Sequence, residues 1–245
     1  MLGTTDPSDI TPTLRAVSHF AGLDDAALAD VARFTVRRRF DAEEPVIWEG
    51  DPGAGLIVVE QGWLKVVKYG ASGREQVLRV VGPGEVFNEV SVLTGSPNMA
   101  TVLALEPARV VVLPRDRMLD LLANYPAISA VVLRNLAERL AQLVTLVEDL
   151  SLRTVEMRFA RLLLERSAGG VLRRQRWTTQ AEMASWLGTV PDVLNRVMRE
   201  LVEGGLIEVE RRAIRILDRP ALAARAAGGG GAAPAPSPHS PPNST

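Results

Sequence analysis

Between Val36 and Leu113 the apolar residues come in short runs, V-I-W, L-I-V-V, L-K-V-V, V-L-R-V-V and A-R-V-V-V-L. The stretches G-D-P-G-A-G, G-A-S-G and G-P-G separate them. Runs of that length broken by glycine turns predict a compact all-β unit, a sandwich, barrel or roll. After Pro126 the period changes. Leu133, Leu136, Leu140, Leu143, Val147 and Leu150 follow a 3, 4, 3, 4, 3 spacing, an apolar heptad seam flanked by Arg134, Glu138, Arg139 and Glu148. The seam predicts a long helix and a homodimer joined along it; a helix packed on its own β-unit would carry a similar stripe.

From Arg158 onward helical periods resume, in F-A-R-L-L-L-E-R and then in T-T-Q-A-E-M-A-S-W-L-G-T-V-P-D-V-L-N-R-V-M-R-E-L. Two short helices joined by a tight turn at Leu187-Gly188 are expected. Thr179 with Glu182, and Thr189 with Asp192, fit the capping box that satisfies unpaired backbone donors at a helix start. Pro191 falls in the first turn of the second helix, where its missing N–H costs nothing. G-G-L-I-E-V-E followed by R-R-A-I-R-I-L reads as a β-hairpin turning at Glu210 to Arg212, which completes a winged helix-turn-helix. Periodicity alone also allows a plain helical hairpin. Residues 1–14 are polar and without period, and the end of the chain is rich in Gly, Ala and Pro, so both ends are expected to be disordered.

Composition narrows the chemistry. The 245 residues are 47% hydrophobic, enough for two ordinary domains, and contain no cysteine. Disulfides, thiolate zinc sites, cysteine-ligated iron–sulfur clusters and cysteine nucleophiles are therefore excluded. Only His19 and His239 offer imidazole, each near a chain end, so a histidine triad, zinc site or haem site has little to draw on. No nucleophile–base pair, metal cluster or nucleotide loop is apparent, and an enzyme is not expected. The N-terminal stretch lacks a basic region followed by an apolar run, and no stretch approaches 18 uninterrupted apolar residues; a cytoplasmic protein without a membrane partner is predicted.

The net charge of −1 is unevenly spread. Residues 151–222 hold 13 arginines and 9 carboxylates, giving +4, and the remainder holds 15 basic and 20 acidic residues, giving −5. A basic C-terminal unit suits a polyanion. If the second short helix lies in a DNA major groove, its polar residues Asp192, Asn195, Arg196 and Arg199 are the candidates for base edges. Arg196 can pair bidentately with guanine, Asn195 with adenine, and Asp192 can accept from cytosine N4. Thr179, Gln180, Thr189, Arg211 and Arg212 are placed on phosphates, where they set register. Val193, Leu194, Val197, Met198 and Leu201 form the apolar side of the same helix.

These blocks stand in a particular order: G-E-V-F-N-E-V-S-V-L-T-G-S-P over residues 84–97, the heptad helix, then L-G-T-V-P-D-V-L-N-R-V-M-R-E-L with G-L-I after it. From about Phe20 to about Leu222 the chain resembles the cAMP receptor protein and fumarate/nitrate regulator (CRP/FNR) family of bacterial transcription factors. The resemblance implies an α+β fold. Disordered residues 1–14 would precede a cyclic-nucleotide-binding-like β-roll (jelly roll) over 15–125, a dimerisation helix and hinge over 126–152, a winged helix-turn-helix over 153–222 and a tail over 223–245. It also implies a palindromic double-stranded DNA operator, a homodimer, and RNA polymerase as a partner.

Position by position, the resemblance argues against the family's best-known ligand. Nucleotide-binding relatives present a Gly-Glu pair and, after the G-x-P, an Arg followed by a small hydroxyl residue; here these positions are Asn88, Glu89, Asn98 and Met99. Without the Arg, a cyclic phosphate loses a charge-assisted bond worth roughly 1.5 to 3 kcal/mol. The dimer-helix positions that contact adenine in such relatives are Leu143 and Val144, which cannot hydrogen-bond a base. Arg139 matches an arginine that pairs with the cassette glutamate, which implies a Glu89–Arg139 ion pair; a ligand role and simple exposure are the other readings of Glu89. No iron–sulfur or haem cofactor is expected, and cAMP is not expected. Pro191 stands where many relatives carry a base-reading side chain, so an altered half-site follows. A signalling module that binds a cyclic nucleotide or another small molecule, and whose C-terminal unit docks a protein, is the alternative function.

Overall fold

The computed structural model describes residues 10–175 and 178–228. The chain forms two compact units, one made of residues up to Glu148 together with Ala181–Gly188, the other of Asp149–Gln180 and the residues from Thr189 on.

The first unit is a β-roll of two antiparallel four-stranded sheets. One has the order β1 (Val36–Phe40), β8 (Ala108–Leu113), β3 (Leu56–Gln61), β6 (Val86–Phe87). The other runs β2 (Pro45–Ile47), β7 (Thr101–Ala104), β4 (Leu64–Tyr69), β5 (Glu75–Val81). Successive side chains of a strand point to opposite faces, and β3 has apolar partners on both. Ile57 and Val59 enter the core between the sheets with Phe40, Leu64, Val102 and Val110. Leu56 and Val58 enter a second core, closed by helices α1 (Thr11–Arg15), α2 (Asp25–Arg33), α3 (Glu89–Thr94), α4 (Arg115–Asn124) and α5 (Pro126–Leu152). That is why L-I-V-V lacks the alternation of a half-exposed strand.

The second core corrects the reading of the N-terminus. Residues 10–14 are ordered: Ile10, Leu14 and Val17 are buried beside Phe20 and Leu28. Their 4, 3 spacing is one apolar helical stripe, the signal that the polar surroundings conceal. Residues 1–9 of that expectation lie outside the described residues.

The other unit holds α6 (Val155–Arg166), capped by Thr154 Oγ1 accepting from Met157 N at 3.2 Å, and α8 (Pro191–Glu203), which packs on α6. A three-stranded sheet of order β10 (Ile207–Val209), β11 (Ala213–Ile216), β9 (Val171–Arg173) follows, with Glu210 N bonded to Ala213 O across the hairpin turn. Strand β9 and helix α9 (Arg219–Ala226) were not anticipated. Asp218 caps α9 by accepting from Ala221 N at 2.9 Å, so the expected disordered tail is helical as far as Ala226; residues 229–245 lie outside the described residues.

Candidate nucleic-acid interface and effector cassette

Helix α8 is strongly two-sided. Leu194, Val197, Met198 and Leu201 are buried, while Asp192, Arg196 and Arg199, at spacings of four and three, lie together on the exposed side. Among the described residues neither arginine is held in an ion pair, and the same is true of Arg211 and Arg212 at the tip of the β10–β11 hairpin. Arg215, on β11, is different: Glu208 lies 3.5 Å away and Glu210 2.9 Å. The guanidiniums of Arg196, Arg199, Arg211 and Arg212 are thus left to meet an anion.

Two expectations about this region need correction. Asn195 is half-buried, and its Oδ1 is buried without a hydrogen-bond partner among the described residues, so it does not share the open face with Arg196. It sits one position after Leu194 and two before Val197, which turns it to the edge of the apolar side. The capping box of Thr189 and Asp192 does not form either. The residue preceding the helix is Val190, with no side-chain cap, and Thr189 lies one position further out, half-buried. Thr179 and Gln180 stand at the start of α7 (Gln180–Trp186), Thr179 just before its first residue and exposed like it. Within the first unit, Glu182 of α7 is engaged by Lys65 of β4: Nζ donates to Glu182 Oε1 at 2.6 Å and to Glu75 at 2.8 and 3.0 Å. Gln76 Nε2 adds a bond to Ser185 O at 3.3 Å. The two carboxylates hold the Lys65 ammonium charged against its burial, and its pKa is raised.

The cassette in the β-roll is held by its own polar side chains. Asn88 has φ +74°, a left-handed conformation that Asn tolerates better than most residues, and its Nδ2 donates to Gly55 O at 3.0 Å. Gly55 itself has φ +98°, and a Cβ there would lie 2.3 Å from Leu113 O, so only glycine fits. Asn98 is 3% exposed. Its backbone bonds Asp51 O and Gly50 N, each at 2.9 Å, and its Nδ2 donates to Trp48 O at 3.2 Å. It therefore closes the 48–52 loop, with Oδ1 left without a partner among the described residues. Met99 is 61% exposed and contributes its carbonyl to Lys68 Nζ.

Glu89 opens α3 with its side chain 15% exposed, and the nearest basic group is not Arg139 but His19, Nε2 to Oε1 at 3.9 Å. The expected Glu89–Arg139 ion pair is absent among the described residues; Arg139 acts on the carboxylate only by longer-range attraction. Burial pushes the Glu89 carboxyl above its ordinary pKa. Burial also lowers His19 to about 4, which makes it neutral near pH 7, with Asn135 Nδ2 at 3.4 Å from both ring nitrogens. Arg139 is half-buried and falls to about 10, chiefly through desolvation and secondly through the nearby Arg79, which is itself paired with Glu85 at 2.6 Å. His19 lies near a chain end in sequence, yet the buried Ile10, Leu14 and Val17 beside it anchor its segment in the core.

On α5, Ile128 and Val132 are buried, and Leu136 packs on the same core, so Leu136 belongs to the β-roll side and leaves the expected seam. The three recur every four residues. Leu133, Leu140, Leu143, Val144, Val147 and Leu150 are exposed along the rest of the helix, Leu140 at 64%.

Comparison with known proteins bears on both sites. The cyclic nucleotide-binding domain family matches residues 37–125, and the Crp-like helix-turn-helix domain family matches residues 157–225. The CRP-like cAMP-activated global transcriptional regulator of Mycobacterium tuberculosis is 30% identical over 213 residues, covering 84% of this chain and 95% of that protein. The chain belongs to the CRP/FNR family. The cyclic AMP receptor protein of Thermus thermophilus is 27% identical over 211 residues, covering 85% and 96%. The crystal structure of a CRP-family transcriptional regulator from the same organism superposes with a TM-score of 0.61 at 26% identity, covering 78% of this chain and 96% of that one.

CRP/FNR members are transcription regulators with a helix-turn-helix DNA-binding domain, and the fold here, a β-roll, a long helix and a C-terminal helix-turn-helix, is theirs. Asn98, which follows the G-S-P of the cassette, bonds the 48–52 loop. Among the described residues no cluster of His, Asp and Glu is arranged to hold a metal ion, and no helix is long and apolar enough to cross a membrane.

Proposed function

We propose that the protein is a sequence-specific DNA-binding transcription regulator that acts in the cytoplasm as a homodimer and is not controlled by cAMP. The observation that carries the DNA assignment is the open side of α8, where Asp192, Arg196 and Arg199 project without ion-pair partners among the described residues, as do Arg211 and Arg212 of the hairpin. Arg196 reads a base edge, the hairpin arginines hold phosphates, and a palindromic operator with half-sites about one helical turn apart matches the two-fold dimer. RNA polymerase is the partner that family membership supplies.

The exposed apolar strip of α5 supports the dimer, since a row of Leu and Val this long on one helix demands a cover. Three features support independence from cAMP: the buried, loop-closing Asn98, and the apolar Leu143 and Val144 at the adenine positions. The deciding experiment selects duplexes from random DNA with the full-length protein and compares Arg196→Ala on a selected and a random fragment. A loss of roughly 1 to 3 kcal/mol confined to the selected fragment is expected; equal losses on both make Arg196 a phosphate contact. Calorimetry with cAMP and cGMP tests the effector: binding in the micromolar range overturns the cassette reading and revives a cyclic-nucleotide signalling module.

A further inference from the structure

The two helices of the helix-turn-helix rest on different supports. Both fall within residues 157–225, which match the Crp-like domain family, and α8 packs on α6. Ala181–Gly188, which include nearly all of α7, belong instead to the unit built by the β-roll. Polar groups fasten them there. Lys65 Nζ donates to Glu182 Oε1 at 2.6 Å and to the two carboxylate oxygens of Glu75 at 2.8 and 3.0 Å. Tyr69 Oη donates to Glu75 Oε2 at 3.2 Å, and Gln76 Nε2 donates to Ser185 O at 3.3 Å. Glu182 and Ser185 are three residues apart, so both anchor points lie on one face of α7. The side chains of Lys65 and Glu182 are only 11% and 18% exposed. A pair so withdrawn from water strands a charge when it is broken, which a surface pair does not. The link onward to α8 is the four residues 187–190, in which Leu187 is buried and Gly188 takes φ +62°. A link that short passes a displacement of α7 to the start of α8.

We infer that Lys65 of β4 is a positioning residue for DNA binding: by holding Glu182 it fixes α7, and through the 187–190 link it sets how α8 presents Arg196 and Arg199 to a duplex. Lys65 touches no base or phosphate and acts only through Glu182. Without the pair, α8 keeps its packing on α6 but loses the fixed helix before it, and the arrangement that reads bases becomes one of several. The apparent dissociation constant then rises by the reciprocal of the population that remains competent. The inference rests on the DNA-binding reading above.

The test measures the dissociation constant of full-length protein on a selected duplex and on a random duplex of equal length, with the melting temperature of each protein alongside. The proteins are wild type, Glu182→Gln, Lys65→Met and the exchange variant Lys65→Glu/Glu182→Lys. Glu182→Gln leaves Lys65 on Glu75 and spares the β-roll. It is expected to weaken binding to the selected duplex about tenfold, the result of a competent population cut to about a tenth. The random duplex should change little, because sequence-independent binding follows the phosphate contacts. Lys65→Met should show the same selective loss. The exchange variant, in which one ammonium again faces two carboxylates, should recover most of it. An unchanged dissociation constant on the selected duplex for Glu182→Gln overturns the inference. So does equal weakening on both duplexes that tracks a lowered melting temperature, the mark of a purely structural pair. An exchange variant no better than Glu182→Gln overturns it as well, and if Lys65→Met fails to fold, these two variants still decide. Wild type that binds neither duplex defeats the DNA-binding reading and the positioning role with it, an outcome distinct from all of these.

Discussion

Acid should weaken the first unit through His19. The imidazole is 4% exposed, and burial brings its pKa down to about 4 from 6.5 in the unfolded chain. Because the folded value is the lower one, the unfolded state takes up the proton first as pH falls. The stability held by the neutral ring is complete above about 6.5 and is lost progressively down to about 4. At about 1.4 kcal/mol per pH unit, the loss across that window is about 3 kcal/mol. The groups that face the ring are Glu89 at 3.9 Å, Asn135 at 3.4 Å and the Phe20 ring; Arg139 and Arg79 act on Glu89 from further away. Glu89 opposes the effect. Its folded pKa lies above the ordinary 4.5, so protonating it returns stability as pH falls through that raised value. Comparison with His19→Gln isolates the imidazole, and Glu89→Gln removes the opposing contribution. Urea unfolding, followed at steps from about pH 7.5 to pH 4, should show the stability difference between wild type and His19→Gln falling by about 3 kcal/mol. Parallel curves for the two proteins would refute the reasoning, because they would mean that the buried ring titrates alike in both states.

Three further outcomes follow from the same structure. Leu140→Asp places a charge on the exposed strip of α5 and should give monomers in analytical ultracentrifugation; a variant that stays dimeric defeats the assignment of that strip to a second copy. Lys65→Ala leaves Glu75 and Glu182 facing each other, mostly buried, and should cost about 3 kcal/mol in urea unfolding; a cost below about 1 kcal/mol shows that the three groups are solvated. Asn98→Ala removes the bond to Trp48 O but also a buried oxygen without a described partner, so a net loss of about 1 kcal/mol is expected, read as a shift in the urea midpoint. A gain in stability shows that the orphaned oxygen outweighs the bond.

Several of these residues took on roles that their neighbours in sequence do not announce. Glu89 matched a glutamate expected to meet Arg139, yet the basic group beside it is His19, 70 positions away in the chain. Glu182 has the spacing of a capping residue, and Lys65, 117 positions away, donates to its carboxylate, a contact that spacing does not announce. Leu136 kept the heptad rhythm, but it completes the row of Ile128 and Val132 that faces the β-roll. Periodicity marks a helix residue as apolar but cannot say which surface it packs on.

The sequence by itself determined what depends on short-range geometry. The glycine-broken apolar runs become strands β3, β4, β5 and β8, the heptad stretch becomes α5, and the two-sided L-N-R-V-M-R-E-L becomes α8, because turn chemistry and side-chain period act over a few residues. It also determined the family, since the order of these blocks is a property of the chain. Tertiary structure alone decided the burial of His19, the loop-closing bond of Asn98 and the edge position of Asn195. Each of these is a matter of which polar groups meet, or fail to meet, once distant segments exclude water between them. That balance of desolvation against pairing is set by the packed whole, and no local pattern records it.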